Sequence, residues 1–413
     1  MAKRFKLRRL IVFAHRWVGL ILAVFLIVEG VTGSLLAFRA ELTRFLDPSA
    51  VAVPPHRGAV PLPAGELAQR VDAHLAPLAR VAYFFPTPEA GQQVVRVAPC
   101  IDARTGEPFQ IDYGIVVVDP WTGRELKRAP FEGYSSNFVS NVMPFVYQVH
   151  ITLALGGFGY WLLGIVALLW TLDCIWSIYL TFPGRLRRFF AKWRRAWIIR
   201  WPPSTAFRLN FDLHRASGLW TWLLLLAFAW SSVALTLMPV YDAVTGALFD
   251  YRTPDQEFAG MPRHDPARSP SLGWVEAQAR GDVILADIAR REGFRIERPT
   301  TLAYLAENGI YSYEVQTSRR FPQFENLGIY FDGDTGQLVR VLRPNGEHAG
   351  NTLTNWLRGL HLIGDPVDYA PYRWAVFMLG WVVALLSGTG VYIWLCKRRG
   401  RVNRRAGVTL SLR

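Results

Sequence analysis

His15-Arg16-Trp17-Val18-Gly19-Leu20 returns 199 positions later as His214-Arg215-Ala216-Ser217-Gly218-Leu219. The first copy lies in an apolar run, residues 10–38, and the second opens another, residues 213–240. About 20 apolar residues are what a helix needs to cross the hydrocarbon core of a bilayer. The first run holds only His15, Arg16 and Glu29 as ionisable residues. It is longer than the apolar region of a signal peptide, so it predicts an uncleaved span. Further matches carry the repeat through the chain. Val117-Val118-Asp119 with Thr122-Gly123 recurs as Tyr330-Phe331-Asp332 with Thr335-Gly336, and His150-Ile151 as His361-Leu362. Tyr160-Trp161 recurs as Arg373-Trp374, and Ile178-Tyr179 as Val391-Tyr392. The later offsets, 211 and 213, drift from the first as small loop insertions would make them.

Two more apolar runs complete the set. Residues 142–182 are about twice as long as one crossing requires. Gly156-Gly157-Phe158-Gly159 offers a break there, leaving 143–155 as a shorter helix and 158–182 as the span. The fourth run, 372–396, follows Pro366 and Pro371. Residues 1–9 carry five basic residues and no acid, residues 183–213 eight against one acid, and residues 397–413 seven and none. These segments hold more positive charge than the chain's net +14, so the remainder is net negative. Basic residues flanking apolar runs are the positive-inside pattern of a membrane protein rather than a nucleic-acid surface. No nucleic-acid partner is expected.

Four crossings then put both termini and the central basic loop in the cytoplasm, and segments 41–141 and 241–354 outside. Each outer segment has a helix-like stretch (64–75; 272–291) followed by alternating strand-like runs and turn residues. The expected fold is a membrane α-helical protein: an internally duplicated four-helix transmembrane bundle with two small periplasmic α+β domains. In chain order these are span 1 with a cytoplasmic N-terminus (1–40) and outer domain 1 (41–141). A short outer helix with span 2 (142–182), a cytoplasmic basic loop (183–212) and span 3 (213–240) follow. Outer domain 2 (241–354), a short outer helix with span 4 (355–396) and a basic tail (397–413) close the chain. The expected location is the inner membrane of a bacterium, with the lipid bilayer as surroundings. Because spans 1 and 3 run the same way, the halves are parallel repeats about an axis along the membrane normal.

That symmetry gives the histidines their meaning. Of eight, His15, His150, His214 and His361 lie at ends of membrane segments and form repeat-related pairs; His56, His74, His264 and His348 do not. Across the axis His15 faces His214 on the cytoplasmic side, and His150 faces His361 on the outer side. One histidine at a helix end is commonly an interfacial polar residue. Two symmetric pairs fit axial ligation of two b-type haems, a non-haem metal being the other use of such a set. No C-x-x-C-H sequence is present for covalent attachment, and Cys100, Cys174 and Cys396 have no metal-ligand spacing. Gly19 and Gly218 lie one turn from their histidines, on the same face, where a flat macrocycle needs room. Arg16 and Arg215 are candidates for pairing with haem propionates, or for snorkelling to the membrane surface. Glu29 and Asp173 are the acids inside the spans, costly in lipid and candidates for function or for a hydrogen bond within the bundle.

With the duplication, the His-Arg-x-x-Gly-Leu openings, the Asp-x-x-Thr-Gly hairpins and the histidine pairs in place, the chain resembles the PepSY-associated transmembrane family. It is most similar to members that act as inner-membrane ferric-siderophore reductases. The resemblance covers essentially the whole chain. It implies PepSY-like outer domains, two b haems held by His15, His214, His150 and His361, and electron transfer across the membrane to reduce a ferric siderophore and release Fe(II). The second half departs by inserting residues 365–371 after His361. No G-x-G-x-x-G follows a strand, so the expected electron donor is quinol or a separate cytoplasmic reductase. Two other classes remain: a PepSY-bearing protein that binds a protease or sensor partner without redox activity, and a transporter.

Overall fold

A computed structural model describes residues 2–85, 91–130, 138–184, 188–319, 326–343, 345–362 and 370–405. Asp365 and Pro366 of the insertion after His361, with Arg185, Arg187 and Arg413, lie outside the described residues. The first half begins with α1 (Ala2–Leu36), α2 (Arg39–Leu46) and α3 (Ala64–Leu75), then β1 (Ala79–Phe85), β2 (Gln93–Pro99), β3 (Ile115–Val118) and β4 (Glu125–Ala129). It ends with α4 (Phe138–Thr152) and α5 (Gly156–Thr181), and the short α6 (Phe189–Trp193) leads out of it. The second half begins with α7 (Ala206–Thr236), α8 (Met238–Leu248), α9 (Pro254–Phe258) and α10 (Trp274–Glu292). It continues through β5 (Ile296–Leu305), β6 (Ile310–Thr317), β7 (Asn326–Asp332) and β8 (Leu338–Leu342) to α11 (Ala349–His361) and α12 (Ala370–Arg405). Among the described residues α1, α5, α7 and α12 are long and apolar enough to cross a membrane, making this a multi-pass membrane protein.

The ends of these helices have local causes. Between α4 and α5, Leu153 and Ala154 take left-handed backbone, and the helix resumes at Gly156, two residues before the expected start at 158. Gly159 sits so close to the Thr152 carbonyl that any Cβ would overlap it. The third span starts at Ala206, ahead of its apolar run, because the Thr205 hydroxyl accepts the Arg208 amide hydrogen at 3.1 Å and caps the helix. It stops at Thr236 rather than running to 240. Pro239 cannot continue a helix but suits the first turn of the next, and α8 begins there.

The two segments between the spans differ from the expectation of two separate domains: their strands form one eight-stranded sheet of order β4-β3-β2-β1-β5-β6-β7-β8. The halves meet where β1 pairs antiparallel with β5, Tyr83 opposite Ala303 and Phe84 opposite Leu302. Each strand would otherwise be the bare edge of a four-stranded sheet, with a row of unpaired backbone groups. Helices α3 and α10 cover the same face. Leu67 and Val71 of α3, Leu285 and Ile288 of α10, and Phe84, Val95, Leu302, Tyr313 and Ile329 of the strands share one core. The Gly65 amide donates to the Gln278 side-chain oxygen at 2.5 Å, tying the two helices together. In each half a strand turns into the next at the repeated motif. Asp119 accepts the amides of Trp121 and Thr122, Asp332 those of Asp334 and Thr335, and Gly123 and Gly336 take positive φ.

The strand order reads the same from either edge once equivalent strands are matched, as a pseudo-twofold axis requires. The bundle obeys the same axis: α1 packs along α12, its equivalent α7 along α5, and α1–α5 and α7–α12 contacts complete it. A Cβ on Gly30 would lie 2.5 Å from the Gly380 carbonyl oxygen, so α1 and α12 touch backbone to backbone.

Candidate functional site: two histidine pairs

The two ends of the bundle each hold a histidine pair. At the end carrying the basic loop and tail, the ring centroids of His15 on α1 and His214 on α7 lie 6.3 Å apart, with planes at 50°. At the sheet end, His150 on α4 and His361 on α11 lie 6.4 Å apart at 51°. The structure thus brings together the residues the repeat had paired. The other four histidines lie elsewhere; His348, for example, meets Asp250 at 2.8 Å. Residues 15 and 29–33 of α1 touch the two pairs in turn, which at 1.5 Å per residue separates them by roughly 20–27 Å along the helix.

Every one of these rings uses Nδ1 on an oxygen. Asp173 Oδ1 lies 2.8 Å from Nδ1 of His15. Glu29 Oε2 and Thr32 Oγ1 each lie 3.0 Å from Nδ1 of His150. The Leu386 carbonyl and Thr389 Oγ1 each lie 3.0 Å from Nδ1 of His214. Ser231 Oγ lies 2.8 Å from Nδ1 of His361. A carboxylate or carbonyl only accepts, and the hydroxyls of Thr32, Thr389 and Ser231 donate to carbonyls of their own helices. Each Nδ1 is therefore the protonated donor, and each Nε2 keeps its lone pair for a metal.

The ring spacing suits an intervening metal in both pairs, and the walls of the basic-end pair leave space for a flat group. An imidazole nitrogen binds a transition metal at about 2.0–2.1 Å. Centroid separations of 6.3 and 6.4 Å would leave room for one metal held by a ring nitrogen from each side. A Cβ on Gly19 would meet nothing within 4 Å, and one on Gly218 only a methyl of Leu386 at 3.5 Å, so the wall beside the basic-end pair is open. Gly33 and Gly390 do a different job: a Cβ there would lie 3.1 Å from His150 and 3.3 Å from His214, so these glycines seat the rings. No group of three or more His, Cys, Asp or Glu converges among the described residues as a non-haem metal cluster would.

The remaining candidates separate. Arg16 makes no hydrogen bond or ion pair among the described residues. Arg215 is engaged: it donates to Asp212 at 2.8 Å and to the carbonyls of Arg195 and Ala196 at 3.0 and 3.2 Å. Asp212, fully buried, also binds Arg200 and Arg208, so this cluster pins the basic loop to α7. Of the two arginines proposed for an anionic group, only Arg16 has no hydrogen-bond or ion-pair partner among the described residues. Glu29 and Asp173 each turn out to face a histidine, and Glu29 Oε1 is buried with no hydrogen-bond partner among the described residues. Thr32, Ser231 and Thr389 were not singled out in the sequence. Thr32 and Ser231 stand at the same 199-residue offset as the two opening motifs, which is the signal that marks them.

Comparison with curated proteins gives no match. The family described as the PepSY-associated TM region matches residues 13–397, a stretch that contains all four paired histidines and both halves of the sheet. By that match across nearly its whole length, the chain belongs to the PepSY-associated TM family.

Proposed function

We propose that this protein is a bacterial inner-membrane di-haem b reductase, with both termini cytoplasmic and the sheet in the periplasm. It takes electrons from quinol or a cytoplasmic reductase and reduces a ferric siderophore, releasing Fe(II). The observation that supports this is the shared state of the four histidines, each with Nδ1 committed to an acceptor and facing its partner at a separation suited to one intervening metal. A b-type haem bound between each pair supplies reversible one-electron transfer. His15 and His214 hold the group at the basic end, and His150 and His361 the one beneath the sheet. Arg16 is the residue available to a propionate at the basic end. The bundle sets the two sites at opposite sides of the membrane and keeps water from the path between them. The sheet, standing over the His150/His361 end, is where the ferric chelate is received.

A visible spectrum of purified protein, oxidised and then reduced, tests the reading together with extraction into acidic acetone. Two non-covalent haems per chain are expected. His150→Ala or His361→Ala should lose one haem and ferric-siderophore reduction. His15→Ala or His214→Ala should lose the other while leaving the sheet-end centre reducible by an added periplasmic reductant. Protein expressed with ample haem and isolated with a stoichiometry near zero would overturn it.

A further inference from the structure

The two halves hold their histidines differently, and the difference is one of charge. In the first half Nδ1 of His15 and of His150 face the carboxylates of Asp173 and Glu29. At the equivalent places the second half has Leu386 and Phe228. There Nδ1 of His214 faces a carbonyl and a hydroxyl, and Nδ1 of His361 the Ser231 hydroxyl, with the Phe228 ring 5.2 Å from the imidazole. Neutral oxygens are thus enough to fix a ring and its tautomer in this bundle. The second half is an internal control for what the carboxylates add. An acid in a membrane span is costly, and orientation alone does not call for one.

Both carboxylates belong to the first half, yet each pair straddles the pseudo-twofold axis, so each pair receives one. On the di-haem reading we propose that Asp173 and Glu29 are positioning residues that set the potentials of the two centres and hold them close together. A carboxylate accepting from Nδ1–H makes the imidazole a stronger donor through Nε2, and its negative charge favours the ferric over the ferrous iron. Each site carries one anionic and one neutral anchor, so the two are lowered alike and the electron meets no large step between them.

Redox potentiometry on the purified holoprotein tests this, with the two centres assigned from the His150→Ala and His15→Ala variants. Glu29→Gln keeps the size and an acceptor oxygen but removes the charge. It should raise the midpoint of the sheet-end centre and leave the basic-end centre in place; Asp173→Asn should do the reverse. Haem retention at the altered site should weaken by about 10–100-fold, the usual cost of losing such a partner. Two haems with unmoved potentials, or both centres moving equally in each variant, would overturn the proposal while leaving the di-haem reading intact. Wild-type protein without haem would remove both. If Glu29→Gln is isolated lacking the sheet-end haem, Ser231→Ala is the comparison, because it removes a neutral acceptor from the same pair. Retention in Ser231→Ala supports the role of charge, and equal loss there overturns it.

Discussion

Glu314 leaves β6 between Tyr313 and Val315, whose side chains lie in the core beneath α3 and α10. Strand alternation therefore turns it to the opposite face of the sheet. Burial pushes its carboxyl above the ordinary 4.5, and a hydrogen bond with Thr301 pulls back against that rise. The folded protein then holds a proton that the unfolded chain releases, so stability falls as pH rises from about 4.5 through the raised value. Glu314→Gln should remove that decline, giving a flatter plot of melting temperature against pH in detergent and a more stable protein at the alkaline end. A variant with the wild-type slope would show that the decline has another source. Single residues were unevenly legible in the sequence. The four histidines stood out because the repeat doubled them. The partners of Glu29 and Asp173 did not, since Asp173 lies 158 positions from His15 and periodicity identifies a face, not the neighbour across it. Arg215 read as a candidate for a haem propionate or for snorkelling; its Asp212 partner lies three residues away on the same helix, but its bonds to the Arg195 and Ala196 carbonyls form only when the basic loop folds back.

Helices were read well where a helix-like stretch or an apolar run met a breaker. The stretch 64–75 became α3, and the glycines after Leu155 marked the start of α5. Residues 237–240 were absorbed into the third span because Leu237, Met238 and Val240 extend its hydrophobicity; Pro239 was the signal that a new helix starts there. Packing between helices was not legible at all. The contact of Gly30 with Gly380 joins residues on the first and last spans, and neither glycine differs by local pattern from others in the bundle. Gly30→Val should wedge α1 from α12, costing about 1–3 kcal/mol as overpacked sites do. The cost would appear as a lower midpoint in thermal or denaturant unfolding in detergent. The same change at Gly19, whose added Cβ meets nothing within 4 Å, should cost less.

At the scale of the molecule, the duplication predicted two of everything, and the sheet shows why that count misleads. Each segment reads locally as its own α+β unit, and nothing in an alternating run of residues says that its edge will be closed by a strand some 200 positions away. The β1–β5 seam joins strands that hold the same place in their halves, antiparallel across the axis. That is the geometry of an isologous dimer interface, in which one surface meets its own equivalent.

By symmetry, then, the chain is two subunits on one tether, and neither subunit holds a complete histidine pair: the first contributes His15 and His150, the second His214 and His361. The link between the halves runs through the basic loop, whose Arg200 pairs with the buried Asp212 of α7. Genes for the two halves, separated within residues 183–188 and expressed together, should complement in trans and copurify, with both haems on the di-haem proposal. Either fragment alone should yield no hetero-paired centre, and failure of the co-expressed fragments to associate would mean that the tether itself guides assembly.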